Sequence, residues 1–139
     1  MRFVAKELRY GVDLTTSGGL TDENGIGLDV PVGWTPEHLL LAALIRCSLQ
    51  SLRYHADCRG VDVSSAFGSC QTLVTKRETD DRYALVETEV EVAVQLEPQP
   101  EPAALTELLA LAERDCFVGS SLTAKPRYRW IVNGRMVDS

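Results

Sequence analysis

One stretch constrains this chain more than any other. From Thr35 to Arg59 nothing breaks a helix, and both ends carry boundary signals. Thr35 offers a capping hydroxyl, Pro36 suits the first helical position, and Glu37 lies near the positive end of the helix dipole. Gly60 is a natural stop. The stretch predicts a helix of about 24 residues, roughly 36 Å long at 1.5 Å per residue. Its first half holds Leu39-Leu40-Leu41-Ala42-Ala43-Leu44-Ile45, apolar on every side, which calls for burial all round. The second half has a polar stripe of Arg46, Gln50, Arg53 and Asp57. The opposite stripe reads Leu40, Ala43, Leu44, Cys47, Ser51, Tyr54 and Cys58.

Around this helix the pattern changes to period two, the mark of strands. Arg2–Leu8 and Tyr10–Thr15 read as strands, and Ile26–Val30 as a short third one. Ser17-Gly18-Gly19 and Asn24-Gly25 punctuate the segment between them. After the helix come two long strands, Val61–Lys76 and Arg82–Leu96, joined by the polar turn Glu78-Thr79-Asp80-Asp81. In the second, Val86, Thr88, Val90, Val92 and Val94 face one way and Glu87, Glu89 and Glu91 the other. One face is wet and the other packs, so antiparallel pairing is expected. A proline-rich connector leads to a second helix, Ala103–Asp115, with Leu105, Leu108, Leu109 and Ala112 on its apolar side. Cys116–Leu122 reads as a turn or short further helix. Arg127–Val132 is the last strand, followed by a tight-turn signal at Asn133-Gly134. Clustered strands with interspersed helices predict an α+β fold, in a single domain over residues 1–139.

A chain of 139 residues can bury a substantial core without metal or disulfide. The formal net charge of -6 argues against nucleic acid and against a polybasic membrane patch. The longest apolar run, Leu39 to Ile45, is far short of the ~20 residues that a membrane helix needs. The N-terminus mixes charge among its apolar residues and does not read as a signal peptide. The expected location is therefore the cytoplasm, where thiols stay reduced.

Four cysteines in such a compartment are buried small residues, reactive groups or ligands: Cys47, Cys58, Cys70 and Cys116. No CxxC or HxxxH spacing points to a metal, and no glycine-rich phosphate loop points to a cofactor, so neither is expected. Read alone, Cys47 is more commonly a small buried helical hydrophobe than a nucleophile. Glu37 alone is explained by the helix dipole. Cys58 and Cys70 read as structural, and His38 and His55 as ordinary surface or capping residues. Trp34 and Phe117 suit either the core or an apolar pocket.

Two segments carry a resemblance. Thr35-Pro36-Glu37-His38-Leu39, through Ala42-Ala43 to Cys47 and the small Ser48, resembles the helix-start signature of the OsmC/Ohr family. Ala112-Glu113-Arg114-Asp115-Cys116 and the small-residue segment after Phe117 resemble the family's second cysteine motif. The element order agrees along nearly the whole chain. The resemblance implies an intertwined homodimer with two sites at its interface and a role in stress response. It implies reduction of organic, lipid-type hydroperoxides by a thiol pair, with recycling by a dithiol reductant, for which a lipoyl group is a candidate. On that reading Cys47 attacks the peroxide as a thiolate and becomes a sulfenic acid, and Cys116 resolves it as a disulfide.

A thiol inside an apolar helix needs help to ionise, because burial raises its pKa and a neighbouring cation lowers it. In the family that cation is an arginine tied to the helix-start glutamate, here Glu37. Glu37 and Cys47 lie ten positions apart, about 15 Å along one helix, so they cannot touch within it. If Glu37 serves the thiol, it comes from the other subunit. The chain departs from the family pattern twice: Leu20 follows Gly18-Gly19 where the arginine is usual, and Phe117 follows Cys116 where proline is common. His38, Arg53 and Arg127 are substitute cations, none fixed by spacing. The alternative is a non-peroxidase member of the fold, which binds a small apolar ligand or does other thiol chemistry.

Overall fold

A computed structural model describes residues 5–137. The chain falls into two compact units that divide between Thr35 and Pro36.

The first unit is a three-stranded antiparallel sheet of β1 (Val12–Leu14), β2 (Leu20–Asp22) and β3 (Gly27–Leu28), in that order. Thr15 closes the first turn by accepting from Gly18 N–H and donating to the Gly19 carbonyl. The Asn24-Gly25 turn joins β2 to β3. The Asp22 carboxylate accepts from the N–H groups of Asn24 and Ile26 at 2.8 and 2.9 Å, and Gly25 takes a positive φ of 83°. β2 is too short to show a period, which is why the sequence reads there as turn. The strand expected over Arg2–Leu8 does not form in residues 5–8, and residues 2–4 lie outside the described residues. Val12, Leu14, Ile26 and Leu28 are all exposed, so this small sheet leaves apolar surface uncovered in the single chain.

The second unit holds α1 (Pro36–Asp57), β4 (Asp62–Lys76), β5 (Tyr83–Glu97), α2 (Pro102–Arg114), α3 (Phe117–Ser121), β6 (Arg127–Val132) and β7 (Arg135–Val137). α1 ends as its glycine dictates. Gly60 has a φ of 69°, Gly60 N–H bonds the Asp57 carbonyl, and Val61 N–H reaches the Ala56 carbonyl at 2.9 Å. β4 and β5 form the expected long antiparallel hairpin, with Cys70 opposite Val90 and Gly68 opposite Val92. Only glycine fits at 68. A Cβ there would run into the Glu91 carbonyl oxygen and stand 3.1 Å from Val92 Cα.

The sheet order is β4-β5-β6-β7, and β5 pairs with β6 in parallel. A parallel pair cannot be closed by a tight turn, so the chain crosses through α2 and α3 first. β7 was not expected. Asn133 and Gly134, both at positive φ, make the turn into it, and the Asn133 side chain accepts from Leu96 N–H at 2.9 Å.

Thr88, Val90, Val92, Val94 and Leu96 of β5 and Trp130 and Val132 of β6 share the inner face. With Leu44, Leu52 and Ala56 of α1 and Leu105, Leu108, Leu109 and Ala112 of α2 they form the buried core. The outer face is charged, with Arg127 and Arg129 of β6 paired to the directly opposed Glu89 and Glu91 at 3.2 and 3.7 Å.

α1 departs from the expected burial in two ways. Its buried residues are Leu44, Ser48, Ser51, Leu52, His55 and Ala56, whereas Tyr54 and Cys58 are exposed. The packed face is thus turned toward Ser48 and His55, because sheet and α2 select the face they meet. Its apolar first half is not buried all round either: Leu39 to Ala42 are half-buried and Ala43 is exposed in the single chain. Among the described residues no helix is long and apolar enough to cross a membrane.

Candidate functional site

Cys47 lies at the rim of the packed face of α1, half-buried, where α1 meets α3. Cys116 is fully buried and caps α3, its sulfur accepting from Gly119 N–H at 3.4 Å. The structure brings these two thiols together. Burial pushes the Cys47 thiol above its ordinary range, and the adjacent Cys116 thiol adds to the rise. The backbone N–H groups of Val118 and Phe117 act against it. None of these influences comes from a cation. Arg53 is exposed, and Arg127 is engaged with Glu89 on the outer face of the sheet.

Gly119 packs this turn closely against Tyr128, Cys116 and Leu44. A Cβ there would stand 3.3 Å from the Tyr128 hydroxyl and 3.5 Å from both Cys116 Sγ and Leu44 Cδ1.

Two hydroxyls complete the immediate surroundings. Ser48 Oγ donates to the Leu44 carbonyl at 2.8 Å, which uses its one proton. Ser48 therefore accepts from the Tyr128 hydroxyl, 2.9 Å away, and has a remaining lone pair toward Cys116 Sγ at 3.6 Å. Burial holds the Tyr128 phenol well above its ordinary range. Tyr128 stacks on Trp130 at 5.7 Å between ring centres, and Trp130 Nε1 donates to Glu113 at 3.2 Å.

One residue before Cys116, the Asp115 carboxylate accepts from His55 Nε2 at 2.7 Å. The neighbouring Arg114 guanidinium adds a two-pronged contact at 2.9 and 3.0 Å. Arg114, and then His55, hold the Asp115 carboxyl below the usual carboxylate range. His55 is buried, not a surface residue as its sequence context suggested.

The other candidates lie elsewhere. Glu37 occupies the exposed first turn of α1, ten positions and about 15 Å before Cys47, and within one chain it does not join the thiols. Phe117 is 62% exposed and belongs to no core. Trp34 is 47% exposed. Cys58 is exposed. Cys70 is half-buried on the inner sheet face, where burial first and Cys116 second push its thiol up to about 11. Among the described residues no three His, Cys, Asp or Glu side chains gather as a metal site. A cleft of about 420 Å³ opens beside Tyr128, Glu113, Arg114 and Lys125, but neither Cys47 nor Cys116 lines it.

Sequence reasoning missed Ser48, Tyr128, His55 and Asp115 as parts of the site. A signal existed for two of them: Leu44, Ser48 and His55 are spaced four and seven apart, one face of a helix.

Against known families, residues 27–130 match the model of the OsmC-like protein family. The chain belongs to the OsmC-like family. Solved structures agree on the fold. An OsmC-like protein of unknown function from Vibrio cholerae is similar with a TM-score of 0.74 at 15% identity, over 90% of this chain and 100% of that one. An organic hydroperoxide resistance protein from Elizabethkingia anophelis reaches 0.62 at 15% identity, over 93% and 98% of the two chains. The organic hydroperoxide resistance protein OhrB of Bacillus subtilis reaches 0.53 at 17% identity, over 90% and 96%. No curated protein matches the sequence significantly. The low identities place this OsmC-like chain on a divergent branch.

Proposed function

We propose that this OsmC-like protein is a thiol-dependent peroxidase that reduces organic, lipid-type hydroperoxides. The observation that carries the reading is the adjacency of Cys47 and Cys116 in unlike environments. The first is half-buried and faced by backbone N–H groups, and the second is sealed and held by hydroxyl and amide partners.

The steps balance as follows. The Cys47 thiolate attacks the distal oxygen of the hydroperoxide, the O–O bond breaks, and the alcohol leaves after taking a proton. Cys47 is now a sulfenic acid. The Cys116 thiol attacks the Cys47 sulfur, a disulfide forms and water leaves. A dithiol reductant, such as a lipoyl group, then attacks the Cys47 sulfur, which is the accessible one, and Cys116 departs as thiolate. A second attack within the reductant releases Cys47 and leaves the reductant as its cyclic disulfide.

The working unit on this reading is a single OsmC-like domain assembled as an intertwined homodimer in the cytoplasm. The uncovered apolar first half of α1 and the exposed apolar strands of the first unit support a partner copy. The partner subunit's Glu37 would then complete the site, since a chain's own Glu37 is too distant. The names of the Elizabethkingia and Bacillus relatives support the substrate class. One observation favours the other reading, non-peroxidase thiol chemistry or apolar-ligand binding: no cation is among the influences on Cys47.

The test is direct. Reduced protein is mixed with one equivalent of an organic hydroperoxide and followed by intact mass and peptide mapping. A Cys47–Cys116 disulfide should form within seconds, and none in Cys47→Ser. Peroxide that leaves both thiols free would sink the peroxidase reading.

A further inference from the structure

We propose that His55 and Asp115 form a positioning clamp that keeps the Cys116 sulfur aimed at Cys47. The proposal rests on the thiol-pair reading above.

Cys116 sits on a two-residue link, Asp115-Cys116, between the last residue of α2 and the first of α3. Each residue of such a link has only two soft dihedrals, so a small change at Asp115 redirects the Cys116 side chain. α1 holds the link at two points. Ser48 touches the Cys116 sulfur at 3.6 Å, and His55 grips Asp115 at 2.7 Å. Ser48 and His55 are seven positions apart, about two turns, and therefore share one face of the helix that also bears Cys47. One contact would leave the link free to pivot. Two contacts from a single rigid helix set both its place and its angle. The downstream side is pinned as well, by Gly119 N–H on the sulfur and by Ser120 Oγ on the Arg114 carbonyl at 3.0 Å.

The clamp is a poor stability device, which points to its other use. The α1–α2 contact already buries Leu52, Ala56, Leu108 and Leu109. A partly buried histidine–carboxylate contact gains little over the desolvation of its two groups. It does fix direction, because a charge-assisted bond this short tolerates little movement. Among the described residues, Arg114 bonds Asp115, and Arg59 Nη1 donates to the His55 carbonyl at 3.0 Å. Aligning two thiols raises their effective concentration, and misplacing one by about 1 Å lowers it steeply.

The experiment measures the Cys47–Cys116 disulfide equilibrium in glutathione redox buffers, which needs no peroxide chemistry. Four proteins are compared: wild type, His55→Leu, His55→Gln and Asp115→Ala. Thermal unfolding checks that each is folded. His55→Leu and Asp115→Ala each remove the contact and should each lower the effective concentration about tenfold, a shift of about 30 mV to less reducing potential. His55→Gln keeps a donor near the Nε2 position and should stay within about threefold of wild type. Should His55→Leu not fold, Asp115→Ala still reads the clamp, because Asp115 is only half-buried. Wild-type potentials in both knock-out variants, or a His55→Gln as weak as His55→Leu, would overturn the clamp alone. A wild-type protein that forms no such disulfide in any buffer would overturn the thiol-pair reading and the clamp with it.

Discussion

The hydroxyl pair beside the thiols makes the sharpest test of the site's geometry. Ser48 Oγ donates to the Leu44 carbonyl and accepts from Tyr128 at 2.9 Å, so the two mutations that break this bond should be unequal. Tyr128→Phe removes a donor and leaves Ser48 satisfied by the carbonyl, a loss of about 0.5–1.5 kcal/mol. Ser48→Ala leaves the half-buried Tyr128 hydroxyl without its serine acceptor, a loss of about 1–3 kcal/mol. Against this, alanine is the better mid-helix residue by about 0.5 kcal/mol. In the double variant both polar groups are gone, so its loss should fall short of the sum by about 1 kcal/mol. Urea unfolding of all four proteins at one fixed concentration measures the cycle, since assembly makes apparent stability concentration-dependent. Losses that add to within about 0.3 kcal/mol would show that the hydroxyls do not bond, and the polar surroundings assigned to Cys116 would fall with them.

Four further outcomes follow from particular residues. Gly68→Ala should destabilise by about 2 kcal/mol or more, because the new methyl meets β5 backbone and no side chain can move aside; a wild-type melting curve would refute this. Ser51→Ala should be neutral or stabilising by about 0.5–1 kcal/mol, since the Ser51 hydroxyl is buried without a partner among the described residues. The Cys70 thiol keeps its proton to about pH 11 in the folded chain against 9.0 as its ordinary value. Its contribution to stability is present below pH 9 and is lost as the pH rises toward 11. Timed alkylation at pH 8 should therefore label exposed Cys58 well before Cys70, and the reverse order would contradict the burial assigned here. Finally, Glu37→Gln and Cys47→Ser should each be inactive as peroxidases, while their one-to-one co-assembly recovers about a quarter of wild-type activity if Glu37 serves the partner's thiol. No recovery would place Glu37 outside the site.

Local signals were enough for the regular elements that span many residues. α1 was legible from its proline and glycine bounds, the β4–β5 hairpin from strict alternation, and α2 from its leucine spacing, because each signal is set by neighbours in the chain. Membership of the fold was legible in the segments around Cys47 and Cys116. Tertiary structure decided the rest. The parallel β5–β6 pairing joins strands distant in sequence, and the three-residue strands β2 and β7, too short to show a period, exist only through the strands they pair with. Which face of α1 is buried depended on where the sheet and α2 lie, and that choice moved His55 from expected surface to the interior. The site itself is of the same kind. Nothing local places Cys116 beside Cys47 or Asp115 beside His55; the crossover from β5 to β6 folds α2 and α3 against α1, and only that packing brings the sulfurs together.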